Sequence, residues 1–78
     1  MTDPVVLDAR GHHCPVPTLR LRKALEAAGP GSIVRLLADD PMAKIDVPHF
    51  ATQAGYALID SGDLNPPPGL FFVVSRPA

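Results

Sequence analysis

The sequence predicts a two-layer α/β fold with the element order β-α-β-α-β-β. Four short apolar runs, bounded by glycine, proline and aspartate, have the composition of β-strands. Two longer segments have the apolar spacing of helices. Because right-handed crossovers bring both helices to the same face, we expect one helical layer against one sheet. The 78 residues are assigned to a single domain, since this length leaves no room for a second.

The first strand and the first helix have clear boundaries in the sequence. A β-branched run predicts strand one over residues 5–7, ended by Asp8-Ala9-Arg10-Gly11. Helix one is predicted from Pro15, which suits a first helical turn, to Ala28, with Gly29 and Pro30 ending it. Its inward face is the apolar stripe of Pro17, Leu21, Ala24, Leu25 and Ala28.

The second half of the chain contains a proline that complicates the second helix. Strand two is predicted over residues 32–38. Asp40 should then cap a turn over residues 41–45, and Asp46 should cap the main helix over residues 47–54. Pro48 is the reason for this division, because an interior proline costs a helix about 3 kcal/mol. We predict strand three over residues 56–61, a loop over 62–69 and strand four over 70–75.

The charge and composition exclude several classes of function. A net charge of −1 and a pI near 6.2 do not favour direct nucleic-acid binding, which usually requires a basic excess. The sequence has no apolar run of membrane-spanning length and no export signal, so no membrane partner is expected. A single unpaired cysteine in such a chain indicates a reducing compartment, the cytoplasm.

Cys14 is the strongest candidate for a reactive residue. Pro15 sets the first helical turn and Pro17 follows in it, so Cys14 should lie at the helix N-terminus. The partial positive charge and free N–H groups of a helix N-terminus favour a thiolate, so we expect a lowered thiol pKa. Residues around the motif, Pro15, Pro17 and His13, are the candidates for stabilising that thiolate. A core role for Cys14 stays open, because free cysteines are often buried as small apolar residues.

The remaining polar residues near Cys14 have simpler interpretations. His12 and His13 are adjacent on a loop, and with Cys14 and His49 they lack the paired spacing of a zinc site, so no metal site is expected. Solvent-exposed loop histidines are the favoured interpretation, with His13 as an alternative proton donor at the thiol. Asp39, like Asp40 and Asp46, is interpreted as a helix cap rather than a catalytic carboxylate.

Basic side chains cluster near Cys14 and along helix one. They are Arg10, Arg20, Arg22 and Lys23. The solvent face of an amphipathic helix would explain them, and so would an RNA-facing edge or a docking surface for acidic partners, with Arg10, Arg20 and Lys23 as the docking candidates.

Several motifs in this order resemble the TusA/SirA-like sulfur carrier family over nearly the whole chain. They are Leu7-Asp8-Ala9-Arg10-Gly11-x-x-Cys14-Pro15-x-Pro17, Arg22-Lys23-Ala24-Leu25, Asp39-Asp40-Pro41 and Asp46-Val47-Pro48-x-Phe50. The resemblance implies a mixed four-stranded sheet in the order 1-2-4-3 with the last strand antiparallel, similar to the C-terminal domain of translation initiation factor three. It also implies that Cys14 accepts persulfide sulfur from a cysteine desulfurase or rhodanese-type donor and passes it to an acceptor protein. Such acceptors serve tRNA thiolation, cofactor maturation or sulfur oxidation.

Two positions depart from the family pattern. His12 replaces a usual leucine, and Ala51 stands where many relatives have a second cysteine, so this chain has no second thiol for an intramolecular resolving step. We therefore expect a monomeric, non-enzymatic sulfur carrier without a cofactor rather than a stand-alone enzyme. The alternatives are a regulatory or RNA-binding module on the same fold, a selenium-related carrier, or a peroxide-reducing enzyme that depends on an external thiol.

Overall fold

The secondary structure follows the predicted order, in a computed structural model that describes residues 4–78. The strands are β1 (Val5–Asp8), β2 (Ile33–Ala38), β3 (Ala57–Leu64) and β4 (Gly69–Ser75), and the helices are α1 (Val16–Ala28) and α2 (Ala43–Ala54). None of the helices in residues 4–78 is long and apolar enough to cross a membrane.

The four strands form one mixed sheet in the order β1-β2-β4-β3. Strands β1 and β2 are parallel, and β4 is antiparallel to both of its neighbours. The sheet order and the antiparallel last strand, both implied by the family resemblance, are therefore confirmed. The parallel β1–β2 pair matters for function, because the loops that follow parallel strands emerge at the same edge of a sheet.

One face of the sheet carries the hydrophobic core, and both helices pack on it. Alternate residues of β2 and β4 are buried there, which is the period of two expected for a sheet with one covered face. The core residues of the strands and helices are Val34, Leu36, Ala38, Leu70, Phe72, Val74, Leu21, Leu25, Ala43, Val47 and Ala51. On the opposite face, the guanidinium of Arg35 lies 4.6 Å from the centre of the Phe71 ring.

Helix α1 ends where the sequence predicts. Gly29 is its C-cap residue with φ of 86°, and its N–H donates to the carbonyl of Leu25 at 3.2 Å. The guanidinium of Arg76 donates to the same carbonyl at 3.1 Å. A cation at the C-terminus of a helix also complements the helix dipole, so the end of α1 is fixed by both backbone and side chain.

The predicted break in the second helix is wrong. Helix α2 starts at Ala43 and continues through Pro48, and Asp46 lies inside its first turn rather than capping a later helix. Backbone hydrogen bonds from Ala43 to Asp40 (3.0 Å) and from Asp46 to Met42 (2.9 Å) form that first turn before the proline is reached. The ring of Pro48 therefore removes one N–H from an already formed helix instead of starting a new one.

Strand β3 is longer than predicted, because Gly62 belongs to the strand and not to the loop. Gly62 pairs with Phe71 of β4, and a Cβ at this position would lie 2.8 Å from the Phe71 ring. Glycine is thus required by the close approach of an aromatic ring and not by a turn. The connection to β4 shrinks to residues 65–68, which include the three consecutive prolines.

The burial pattern of α1 generates a stability prediction for two leucines on opposite faces. Leu21 is fully buried, whereas Leu19 is 56% exposed. We expect Leu21→Ala to lower the free energy of unfolding by about 2–5 kcal/mol through a core cavity, and Leu19→Ala to change it by less than about 1 kcal/mol. Urea unfolding followed by circular dichroism measures both values, and a similar loss in the two variants would contradict this assignment of faces.

Candidate functional site at the edge of the sheet

The loops after β1 and β2 meet at one edge of the sheet and form the candidate site. Residue pairing brings Asp8, the last residue of β1, beside Leu37 near the end of β2. The first loop carries Cys14, and the second carries Asp39 and Asp40. Both loops lead directly into helices, so the N-termini of α1 and α2 lie at this edge.

The carboxylate of Asp40 joins the two loops. Its Oδ2 accepts the backbone N–H of Cys14 at 2.9 Å, and its Oδ1 accepts the N–H of Met42 at 3.0 Å. The side chain is only 14% exposed. The Met42 N–H, followed by the Cys14 N–H, lowers the pKa of Asp40, so the residue is a carboxylate at neutral pH. Cys14 is thereby held beside the start of α2 by one charged group.

Asp39 makes a second connection between the same loops. Both of its carboxylate oxygens lie 3.0 Å from the backbone nitrogen of Gly11, which donates to them. Gly11 has φ of 88°, a conformation that favours glycine. The prediction that Asp39 caps a helix is therefore wrong, and Asp40 lies two residues before Met42, the N-cap residue of α2. Asp39 and Asp40 together hold the loop that carries Cys14 against the loop that follows β2.

The thiol of Cys14 is half-buried and packs against the edge of the core. The expectation that its position lowers the thiol pKa is not met. Burial raises the pKa of Cys14, and the negative charges of Asp46 and Asp40 raise it further. The Thr18 hydroxyl acts in the opposite direction and lowers the pKa of Cys14. The sequence argument considered the helix end and did not anticipate that the second loop and α2 bring two carboxylates to the sulfur.

The start of α1 also offers few N–H groups for an anion. Pro15, the N-cap residue, and Pro17 have no N–H, and the N–H of Val16 donates to the carbonyl of His13 at 3.0 Å. The N–H of Cys14 itself is bound by Asp40. Pro17 is fully buried, so its side chain contributes to packing. The usual attraction of a helix N-terminus for anions depends on free N–H groups, and these are scarce here.

His13 lies in solvent beside Asp40. Its side chain is 96% exposed, and its Nδ1 is 3.6 Å from Oδ2 of Asp40. His12 and His49 are exposed as well. Within residues 4–78, no three side chains of the His, Cys, Asp and Glu types come together in a way that could hold a metal ion.

The three candidate docking residues have different surroundings. Arg10 forms a two-point contact with Asp8, with an Nη2–Oδ2 distance of 2.8 Å, and this pairing lowers the pKa of Asp8 to about 2. Arg20 and Lys23 are exposed on α1. The guanidinium of Arg20 donates to the backbone carbonyl of Asp8 at 3.5 Å. The charge of Arg10 is thus matched within the chain, whereas Arg20 and Lys23 form no ion pair among residues 4–78.

Thr18 and Asp46 are functional candidates that the sequence analysis missed. Thr18 follows Cys14 by four residues, the spacing of neighbours along a helix face, although Cys14 precedes the helix. Asp46 was interpreted only as a cap. The parallel pairing of β1 and β2 could have indicated that Asp46 lies near Cys14, because it brings the start of α2 close to the start of α1.

The acidic surroundings of Cys14 generate a prediction about its reactivity. Asp46→Asn removes a negative charge near the thiol, so we expect a lower thiol pKa and iodoacetamide alkylation about three- to tenfold faster at pH 7.5. Asp63→Asn is the control, because Asp63 is exposed on β3. Unchanged or slower alkylation of the Asp46 variant, or an equal increase in both variants, would refute the role of this charge.

Comparison with known proteins gives a consistent family assignment. The family model described as Sulfurtransferase TusA matches residues 5–73. The sulfur carrier protein TusA of Pseudomonas paraeruginosa is 36% identical over 62 residues, covering 77% of this chain and 78% of the relative. TusA of Allochromatium vinosum is 42% identical over 55 residues, covering 70% and 72%.

A solved structure agrees with the assignment. The SirA-like protein of Desulfitobacterium hafniense superposes with a TM-score of 0.69 at 30% identity and covers 91% of this chain and 93% of its own. The sequence match over residues 5–73 and the shared fold lead to the same conclusion: this chain belongs to the TusA family of sulfur carrier proteins.

Proposed function

We propose that Cys14 receives sulfur as a persulfide from a donor protein and passes it to an acceptor protein. The relatives in Pseudomonas and Allochromatium are named sulfur carriers, which supports this role. The observation that carries the proposal is the placement of the chain's single cysteine, half-buried and fixed by Asp40 where two helices begin. A thiol held at a surface edge can meet a second protein without the enclosed pocket that a small substrate would need.

The transfer requires no net oxidation or reduction. The Cys14 sulfur attacks the outer sulfur of the donor persulfide, the S–S bond of the donor breaks, and the donor cysteine leaves as a thiolate that takes up a proton. The proton lost by the Cys14 thiol goes to solvent. Release follows the same course with the roles exchanged, because an acceptor thiolate attacks the outer sulfur carried by Cys14.

The donor class that fits this chemistry is a cysteine desulfurase or a rhodanese-type enzyme. The acceptor is a protein thiol in tRNA thiolation, cofactor maturation or sulfur oxidation. A reducing compartment such as the cytoplasm suits the proposal, because it keeps Cys14 a free thiol between transfers. The protein acts as a carrier in this scheme, since the donor and the acceptor supply the other reacting groups.

A group of exposed apolar side chains suits the docking of such partners. We call it the apolar rim, and its members are Val16, Leu19, Met42 and Ile45. These residues lie at the starts of α1 and α2, on both sides of the contact between Asp40 and Cys14. Exposed apolar residues beside a reactive group are typical of an interaction surface. Arg20 and Lys23 would add positive charge at its border and favour an acidic partner.

The proposal is tested by loading the protein with sulfur. Incubation with a cysteine desulfurase and cysteine is expected to add one sulfur atom to the intact mass of the wild-type protein and none to Cys14→Ser. A reducing agent should remove the added mass, because a persulfide S–S bond is reducible. No mass gain on the wild type, or an equal gain on the serine variant, would reject the proposal.

The apolar rim is tested with two matched isoleucines. Ile45 in the rim is 64% exposed, and Ile59 on the distant strand β3 is 55% exposed. We expect Ile45→Glu to slow loading by the desulfurase about tenfold, because a charge in an apolar contact weakens docking. Ile59→Glu should load at the wild-type rate. Equal rates for both variants would remove the rim from the docking surface.

A further inference from the structure

Thr18, in the first turn of α1, has a buried hydroxyl group. Its Oγ1 is shielded from solvent and has no hydrogen-bond partner of standard geometry within residues 4–78. A threonine inside a helix usually bonds the carbonyl four residues earlier, which here would be the carbonyl of Cys14. An unpaired buried hydroxyl destabilises the folded state, so its presence at this position suggests a functional role.

Thr18 follows Cys14 by four residues at the start of α1, where the half-buried thiol packs against the edge of the core. The Thr18 hydroxyl lowers the pKa of the thiol, whereas burial and the negative charges of Asp46 and Asp40 raise it. His13, which precedes Cys14, lies beside Asp40, with its Nδ1 3.6 Å from Oδ2. Thr18 thus favours a negative charge on the sulfur that the two carboxylates disfavour.

The backbone supplies few donors in this region. Two of the first residues of the motif, Pro15 and Pro17, have no N–H, and the N–H groups of Cys14 and Val16 are bound by Asp40 and by a carbonyl. A side-chain donor would therefore add to the stabilisation of an anionic sulfur at Cys14. Thr18 has an O–H with no standard hydrogen-bond partner, and hydrogen bonds to charged groups are stronger than those between neutral groups.

We propose that the Thr18 hydroxyl donates a hydrogen bond to Sγ of Cys14 whenever that sulfur carries negative charge. This inference rests on the proposed sulfur-carrier function and names the group that assists both of its steps. The hydrogen bond stabilises the thiolate that attacks the donor persulfide. During release, the acceptor thiolate bonds to the outer sulfur, the electron pair of the broken S–S bond returns to Sγ, and the same hydroxyl stabilises the departing thiolate. Thr18 keeps its proton throughout, and solvent protonates Sγ afterwards.

The first experiment measures alkylation of Cys14 by iodoacetamide between pH 6 and pH 10 in three proteins. We expect Thr18→Val to react about tenfold more slowly than the wild type at pH 7 and to approach the wild-type rate at high pH, because it loses a hydrogen bond to a charged group. Thr18→Ser keeps the hydroxyl and should stay within about twofold of the wild type. Coincident profiles for Thr18→Val and the wild type, or an equal slowing of Thr18→Ser, would overturn the inference.

Thermal unfolding separates this role from a structural one. Removing an unpaired buried hydroxyl without changing the side-chain shape should leave the unfolding midpoint of Thr18→Val equal to or above that of the wild type. A lower midpoint together with slow alkylation of both variants would assign Thr18 to the structure and overturn the inference.

Release of sulfur is measured on protein loaded chemically with a small persulfide donor, using a small thiol as acceptor. Transfer from Thr18→Val should be about tenfold slower than from Thr18→Ser or the wild type, and equal rates would overturn the inference for the release step. The alkylation profile needs no sulfur loading. A protein that shows the predicted profile but takes no sulfur from a desulfurase would therefore reject the carrier function and leave the hydrogen bond of Thr18 supported.

Discussion

The carboxylate of Asp40 is the interaction on which the arrangement of the site depends. It accepts one N–H from the loop before α1, in a partly buried bond, and one from the start of α2, in a bond at the surface. Removal of the carboxylate would leave two backbone donors unpaired in a partly buried place, which is costly. The same group sets the position of the sulfur and contributes to its electrostatics, since Asp40 is one of the charges that raise the pKa of Cys14.

These electrostatics suit a carrier more than they suit a permanently activated nucleophile. A raised thiol pKa keeps the resting sulfur protonated, which limits its reaction with oxidants. The thiolate of a high-pKa thiol is also the more intrinsically nucleophilic once it forms. The negative charges of Asp46 and Asp40 also disfavour the thiolate that Cys14 becomes when the carried sulfur is released. A carrier must release its load, and the proposed hydroxyl donor at Thr18 would balance this repulsion.

The sequence predicted the fold better than it predicted the site. Strands and helices were identified because apolar spacing reflects which side of each element faces the core, and the buried residues of α1 and β2 follow that spacing. The predictions at Pro48 and Gly62 were wrong because they used the tendency of a single residue to break a helix or form a turn, whereas its surroundings in the folded chain determine the structure there. A first turn formed before the proline and an aromatic ring opposite the glycine are properties of the assembled chain.

Cys14 was identified from its own neighbours in the sequence, but the direction in which its pKa is shifted was not. Burial in the folded chain raises that pKa, and Asp46 and Asp40, which are 32 and 26 positions away in the chain, raise it further after the parallel pairing of β1 and β2 brings them close. At the position of the missing second cysteine, the role of the residue is again apparent only in the folded chain. Ala51 is 2% exposed and belongs to the core, so α2 contributes packing there and no reactive group. With one thiol in the chain, every transfer proposed for Cys14 must be completed by a thiol of another molecule, and the exposed apolar rim beside it gives that molecule a surface to bind.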